Sequence, residues 1–294
     1  MDLSGRVTIV EVGPRDGLQN EPAQIPLETK IELVERLAAA GLPVVEAGAF
    51  VSPRRVPQMA DSAELFRSLH RREGVRYPAL VPNMLGLQLA LTAGVKEIAL
   101  FVSASEGFSK ANIACSRAES IVRLAPVAES ALAHRLRVRG YVSCVVACPY
   151  DGPTAHGDVV EMALKLMELG CDEISLGDTI GVGEPDQIRR LIEAVAKLVP
   201  REKLAVHFHD TYGRAISNIE ASLREGISIF DSSVAGLGGC PFAPGSPGNV
   251  ATEAVLDLME RLEIETGVDR AVVSETGVWI RKALRREGSE LLRG

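Results

Sequence analysis

The chain has 294 residues, a formal net charge of −7 and a pI near 5.4, which argues against nucleic acid as a partner, since that would ask for a basic face. No apolar run approaches the roughly 20 residues that span a bilayer, and the opening stretch from Met1 to Arg6 lacks the apolar core of a secretory signal. The expectation is a cytoplasmic globular protein with neither nucleic acid nor membrane as partner.

In chain order, strands are predicted over residues 7–12, 43–48, 77–81, 97–102, 137–143, 172–176, 203–208 and 229–234. Helices fill the gaps, among them 28–40, 158–169, 185–198, 214–225 and 249–262. A weak repeat recurs along this order: an amphipathic helix, a glycine, then an apolar strand. Gly41, Gly94, Gly170 and Gly226 each stand where a helix needs a left-handed residue just past its end. Such αβ units in series imply a parallel sheet. Eight of them, with no Gly-x-Gly-x-x-Gly turn after the first strand, fit a (β/α)₈ TIM barrel better than an open doubly wound sheet. No linker or low-complexity tract divides the chain, so residues 1–294 are read as one catalytic domain. Residues from about 268 to 294 form an additional C-terminal helical segment, packed outside the barrel or at a subunit contact. A homo-oligomer, dimer or tetramer, is expected.

Unusual polar residues gather at the carboxyl ends of these strands, where barrel enzymes keep their active sites. Arg15 and Asp16 follow strand one, Glu46 ends strand two, Asn83 follows strand three and Ser143 ends strand five. Asp178 follows strand six, and His207 and His209 close strand seven. A Gly/Pro-rich run with Cys240 and Asn249 follows strand eight. His207 and His209 are spaced i, i+2 in a strand and project to one face. Phe208 belongs toward the helices, which sends both imidazoles to the barrel mouth. With Asp16 and Asn249 they make an N₂O₂ site for a divalent cation. Oxygen donors without a thiolate lean toward Mg²⁺ or Mn²⁺. Taken alone, the pair could equally be hydrogen-bonded core histidines.

Cys240 reads as a proton donor or acceptor in a mobile loop, or as a small residue packed beneath it. Arg15 suits an anionic substrate or a developing enolate; it could also form a salt bridge with Glu46 or Asp178. The remaining cysteines, 115, 144, 148 and 171, read with Cys240 as free thiols. Cys144 and Cys148 read as buried strand-end residues.

At these positions the sequence resembles the 3-hydroxy-3-methylglutaryl-CoA lyases, part of a metal-dependent barrel superfamily that includes isopropylmalate and homocitrate synthases. The resemblance runs from Val10-Glu-Val-Gly-Pro-Arg-Asp-Gly-Leu-Gln-Asn-Glu21 through Phe50-Val-Ser-Pro53, Val56-Pro-Gln-Met-Ala-Asp61 and Arg139-Gly-Tyr-Val-Ser-Cys144. It continues in Ile174-Ser-Leu-Gly-Asp-Thr-Ile-Gly-Val-Gly183, His207-Phe-His-Asp-Thr-Tyr-Gly213 and Gly236-Leu-Gly-Gly-Cys-Pro241. The condensing synthases typically carry Gly-Glu-Arg-x-Gly-Asn in the last loop, whereas this chain has Gly239-Cys240-Pro241 and then Gly248-Asn249, the lyase-like form.

The resemblance implies that Asp16, His207, His209 and Asn249 bind the metal, that Arg15 contacts an acyl-CoA thioester, and that Cys240 is catalytic. Glu46, Asn83, Ser143 and Asp178 are taken to the substrate side and Glu253 to a supporting role. Lys110 and Asn112 are candidates for the CoA surface. Two departures bear on the acyl group: Glu46-Ala-Gly-Ala-Phe50 and Asn83-Met-Leu-Gly86 stand where relatives usually show Glu-Ala/Thr-Thr-Ser-Phe and Asn-Met-Lys-Gly. The implied reaction is retro-Claisen cleavage of (S)-3-hydroxy-3-methylglutaryl-CoA to acetyl-CoA and acetoacetate. Asp16 or His207 would take the hydroxyl proton, Arg15 would face the thioester enolate and Cys240 would protonate it. A longer-branched substrate, a condensing transferase or aldolase, and a non-catalytic metal-binding protein are the competing readings.

Overall fold

The computed structural model describes residues 5–238 and 248–291, with side chains as far as residue 285. Strand β1 (Thr8–Glu11) leads into a π-helical turn, Gly13–Gly17, and then α1 (Leu27–Ala39). Two short strands, β2 (Val44–Val45) and β3 (Gly48–Ala49), precede α2 (Ser62–Ser68), β4 (Pro78–Leu80) and α3 (Met84–Thr92). Next come β5 (Glu97–Ser103), α4 (Glu106–Ile113), α5 (Arg117–Ala133) and β6 (Arg137–Ser143), followed by a small antiparallel hairpin of β7 (Ala147–Cys148) and β8 (Gly152–Pro153). The second half adds α6 (His156–Glu168), β9 (Glu173–Asp178), α7 (Pro185–Val195), β10 (Leu204–Phe208), α8 (Ala215–Arg224) and β11 (Ile229–Ser232). It ends with α9 (Thr252–Arg261) and α10 (Arg270–Leu291). None of the described helices is long and apolar enough to cross a membrane.

The main sheet is parallel throughout, ordered β2-β1-β11-β10-β9-β6-β5-β4-β3. The strands predicted from sequence are all found, and the helix-ending glycines 41, 94, 170 and 226 all take positive φ. Side chains alternate between the two faces. Ile98, Leu100 and Val102 of β5, Val138 and Val142 of β6, Ile174 and Leu176 of β9 and Phe208 of β10 are buried in the main apolar core, as the helix-facing reading of Phe208 expected. The opposite, inner face is largely polar. It carries Arg139, Tyr141, Ser175, His207 and Asp231, beside a small apolar group of Val10, Val12 and Val44.

The second predicted strand is split for a local reason. Toward β4, the amides of Val45, Ala47 and Phe50 donate to the carbonyls of Arg76, Pro78 and Leu80. The acceptors step by two each time, while the last donor step is three. One extra residue therefore bulges from this strand, which re-aims the side chains on either side of it. The leftover amide of buried Ala49 donates to Ser62 Oγ at 3.1 Å, and that hydroxyl donates onward to Met59 O at 2.8 Å. The first and last members of the strand order are thus two halves of one segment, 44–49. Its backbone bonds to β1 through Glu46 N and to β4 through Ala47 N.

Glu11 fastens the ends together. Its carboxylate is fully buried and accepts from Gly13 N (2.8 Å), Val234 N (2.9 Å) and Thr252 Oγ1 (2.7 Å). It therefore joins the turn after β1, the turn after β11 and the start of α9. Burial pushes its pKa from 4.5 up to about 7, against the pull of those three donors. A proton is tolerated because Thr252 Oγ1 also pairs with Ser232 Oγ at 2.8 Å, so the hydroxyl chain can reverse.

Two stability measurements test this wiring. Ser62→Ala leaves the Ala49 amide buried without an acceptor and is expected to cost about 1–3 kcal/mol in denaturant unfolding; an unchanged midpoint would contradict the bulge. For Glu11, the folded state holds its proton more tightly than the unfolded chain. Its contribution is therefore neutral below pH 4.5, turns unfavourable as pH rises toward 7 and is constant above that. Relative to Glu11→Gln, the native chain should lose up to about 3 kcal/mol between those limits. Parallel stability–pH curves for the two proteins would show that Glu11 titrates normally.

Candidate active site

The carboxyl ends of β1, β2, β6, β10 and β11 meet over the inner face. Arg15 and Asp16 reach it from the π-helical turn, in which the amides of Asp16 and Gly17 both fold back to Val12 O and Leu18 N reaches Gly13 O. Such wide turns often mark functional positions, because they rotate side chains out of ordinary helical register. The turn packs hard against residues 233–237, the turn that follows β11. A Cβ on Gly17 would lie 2.8 Å from Leu237 Cβ and 2.9 Å from Ser233 Oγ, so only glycine fits.

The Arg15 guanidinium is buried and divided between two carboxylates: Nη1 donates to Asp16 Oδ1 at 2.6 Å and Nη2 to Glu46 Oε2 at 2.7 Å. It also lies over the Tyr141 ring, 5.5 Å from the centroid. Burial opposes its charge, but Glu46 and Asp16 outweigh that and keep it firmly protonated. Burial likewise works against the Asp16 charge; Arg15 foremost, then His207 and the Asn249 amide, reverse the balance and lower its pKa. Both groups are therefore ionised at neutral pH.

His207 Nε2 stands 3.9 Å from Asp16 Oδ2, and the His207 and His209 rings are 5.6 Å apart. Asn249 arrives beside them because residues 248–250 pair with the end of β10: Asp210 N donates to Gly248 O, Val250 N to Phe208 O, and His209 and Asn249 form an antiparallel bridge. The Asn249 amide donates to Asp16 Oδ2 at 2.8 Å. Donor atoms of Asp16, His207 and His209 all lie within 4.8 Å of one another, a spacing one metal ion can bridge. The donor set fits a cation in two further ways. His209 Nδ1 is buried with no hydrogen-bond partner among the described residues. Burial, with the nearby His207, lowers the His209 pKa to about 4, so its ring is neutral with a lone pair to give.

Of the other residues expected here, Glu46 is fully buried against Arg15 and Tyr141 (Oη···Oε2 3.1 Å). Ser143 closes β6 on the same face as Tyr141 by strand alternation. Arg15 forms the anticipated salt bridge, with Glu46 rather than Asp178.

Three residues do other local work. Exposed Asn83 caps α3, its Oδ1 accepting from Gly86 N. Asp178 pairs in register with Phe208, on the face opposite Ser175, and its Oδ2 accepts from Gly183 N at 2.7 Å. Glu253 accepts from Ala235 N and so braces the turn leading into the last loop. Lys110 and Asn112 lie exposed on α4. Cys240 lies outside the described residues.

The sequence reading missed the floor of the site. Arg139, 2% exposed, is held by Asp231 through two bonds (2.6 and 3.0 Å), by Glu173 at 2.6 Å and by Tyr141 Oη at 2.6 Å. Ser175 Oγ completes the Asp231 shell at 3.0 Å. Burial opposes the Asp231 charge, yet Arg139 and His207 bring its pKa down to about 2. The available signal was alternation: charged or hydroxylated residues at i, i+2 in strands otherwise apolar, as in Arg139-Gly-Tyr141.

Comparison with known proteins places these residues in context. A model of the HMGL-like family matches residues 6–279. A relative from Pseudomonas aeruginosa named 3-hydroxy-3-isohexenylglutaryl-CoA/hydroxy-methylglutaryl-CoA lyase is 58% identical over 277 residues, 94% of this chain and 92% of its own. The crystal structure of hydroxymethylglutaryl-CoA lyase from Pseudomonas aeruginosa superposes with a TM-score of 0.95 at 55% identity, covering 100% of both chains. An HMG-CoA lyase from Acenitobacter baumannii, in complex with coenzyme A and 3-methylmalate, superposes with a TM-score of 0.90 at 34% identity, covering 95% of this chain and 91% of that one.

Proposed function

The chain belongs to the HMGL-like family, and from that premise we propose that it is a carbon–carbon lyase cleaving (S)-3-hydroxy-3-methylglutaryl-CoA to acetyl-CoA and acetoacetate. The observation that carries the reading is the gathering of Asp16, His207 and His209 within 4.8 Å, beside a buried Arg15, in a chain 58% identical to a relative named as such a lyase. Condensation and non-catalytic metal binding are not favoured.

Asp16, His207, His209 and Asn249 would hold a divalent cation, Mg²⁺ or Mn²⁺, which supplies Lewis acidity to substrate oxygens. The proton of the tertiary hydroxyl goes to Asp16, or to His207 Nε2 where that nitrogen is not engaged by the cation. The bond between the carbinol carbon and the methylene next to the thioester breaks, and its electron pair moves onto the thioester oxygen as an enolate. Arg15, already fixed by two carboxylates, sets a permanent positive charge beside that oxygen without having to reorganise. Glu46 and Tyr141 hold the guanidinium in place, and Glu253 steadies the turn before the last loop. Cys240 returns a proton to the methylene carbon, a role that rests on the lyase-like Gly-Cys-Pro sequence. Asn83, Ser143 and Asp178 complete the substrate side through the segments they cap or close. An acyl-CoA substrate is supported by the coenzyme A complex of the Acenitobacter baumannii relative; Lys110 and Asn112, both exposed on α4, are the residues we assign to the CoA moiety.

The same proposal takes residues 1–294 as one catalytic domain: a closed (β/α)₈ barrel with α10 as its added C-terminal segment. What supports closure is segment 44–49, bonded to β1 on one side and β4 on the other. Cytoplasmic residence is supported by the free thiols of Cys115, Cys144, Cys148 and Cys171, which suit a reducing compartment. A homo-oligomer, dimer or tetramer, is supported by the exposed apolar side chains Met84, Leu85 and Leu89 on α3.

The reading is tested with metal-stripped protein and a panel of 3-hydroxyglutaryl-CoA thioesters with methyl and longer branches. The methyl compound should yield acetoacetate and acetyl-CoA only after Mg²⁺ or Mn²⁺ is restored, and acetyl-CoA with 2-oxo acids should give no condensation product. Arg15→Gln should lower kcat by about 10²–10³-fold, and Cys240→Ala by about 10²–10⁴-fold. Full turnover without metal would sink the proposal.

A further inference from the structure

We propose that Asp231 is a positioning residue for His207: its carboxylate holds the ring as the Nδ1–H tautomer and turns the Nε2 lone pair toward Asp16. The inference rests on reading Asp16, His207 and His209 as a cation site, and assigns how one of those ligands is prepared.

Asp231 and His207 are direct neighbours on adjacent parallel strands, β11 and β10, so their side chains leave the inner face together. On the other side of His207 the neighbour is Gly177, which has no side chain to offer. Lateral support for the ring therefore comes from Asp231, whose Oδ2 is 3.3 Å from His207 Nδ1. Tyr141 meets the ring edge-on, with centroids 6.2 Å apart, and limits its tilt.

Asp231 is itself immobilised. Arg139 Nη2 donates to Oδ1 at 2.6 Å, Arg139 Nη1 to Oδ2 at 3.0 Å, and Ser175 Oγ to Oδ2 at 3.0 Å. A carboxylate paired in this way only accepts hydrogen bonds, so the imidazole nitrogen facing it must carry the hydrogen. Nε2 is then the unprotonated nitrogen, and it faces Asp16 Oδ2 at 3.9 Å. That gap is too long for a hydrogen bond but suits two donors to one cation. His209 differs, because its buried Nδ1 has no partner among the described residues. The carboxylate support is thus specific to His207. Carboxylates behind metal-binding histidines fix tautomer and orientation in this manner, and losing one typically costs about 10–100-fold in metal affinity.

The competing account is that Asp231 serves only as a counter-charge for Arg139. Glu173 provides the control, since it also holds Arg139 at 2.6 Å but pairs in register with Arg139 itself rather than with His207. The first measurement uses the native chain without metal. Long-range ¹⁵N–¹H NMR of the histidine rings at about pH 8, with the His207 signals assigned through His207→Gln, should show the Nδ1–H tautomer. A dominant Nε2–H form overturns the proposal, and this result needs no folded Asp231 variant.

The second measurement is Mn²⁺ affinity by electron paramagnetic resonance. Asp231→Asn should bind about 10–100-fold more weakly than the native chain, while Glu173→Gln should keep native affinity. Equal weakening in both variants, or none in Asp231→Asn, rejects the positioning role. If the native chain binds no Mn²⁺ that His209→Ala abolishes, it is the cation site that fails, and the tautomer measurement still judges Asp231.

Discussion

A guanidinium sealed inside a parallel sheet has to bring its own counter-charges, and that requirement shapes the whole inner face of this protein. Arg139 is 2% exposed and would be prohibitively costly alone. It is tolerated because Asp231 and Glu173 flank it with charge-assisted bonds of 2.6 Å, while Tyr141 adds a third short contact. Breaking such a buried set typically costs 3–5 kcal/mol, even where replacing it outright with apolar residues would not. The network is therefore better understood as a device for specificity than as a source of net stability. It fixes where β6, β9 and β11 stand relative to each other, and through Tyr141 and Asp231 it reaches up to Glu46 and His207.

A second layer rests on that floor and has a different character. Arg15 repeats the logic of Arg139, with one guanidinium between two carboxylates, but it sits on a turn rather than a strand. The turn is held from below by Glu11, which also holds the turn after β11 and the first turn of α9. Segments more than two hundred residues apart in sequence thus share one buried carboxyl group. The turn after β11 lies so near Arg15 and Asp16 that a Cβ on Gly17 would meet Leu237.

Much of this was legible in the sequence, for reasons that also explain what was not. Parallel strands separated by helices follow from periodicity, and the glycines after α1, α3, α6 and α8 mark helix ends because their backbone must be left-handed. The histidine pair was readable because alternation puts i and i+2 on one face, with Phe208 fixing which face that is. Asn83 and Asp178 were drawn toward the substrate by the same rule, that polar residues at strand ends belong to the active site. A polar residue at a strand end has a second employment, however. Asn83 begins the next helix and Asp178 ties down the following loop, and sequence position alone does not separate these uses. The bulge in segment 44–49 was invisible because its signature is the partner carbonyl spacing, which no single strand contains. Asp231, Arg139 and Tyr141 escaped notice because each owes its importance to neighbours on other strands.

The two layers also differ in how fully their polar atoms are paired. In the floor, each Asp231 oxygen and the three Arg139 nitrogens that donate have partners supplied by the protein. In the upper layer Arg15 Nε, Glu46 Oε1 and His209 Nδ1 are buried with no hydrogen-bond partner among the described residues. An unpaired buried polar atom costs about 1–3 kcal/mol. Several of them gathered in one place are what a site leaves open for a bound molecule to complete. Two are donor-rich or acceptor-rich edges of the Arg15–Glu46 pair and the third is a neutral imidazole nitrogen, so the deficit is matched by a ligand bearing both oxygen functions and a cation. The satisfied floor keeps its geometry whether or not that ligand is present. On the proposed function, the upper layer would draw affinity from completing its own hydrogen bonds, with the rigid sheet beneath it as support.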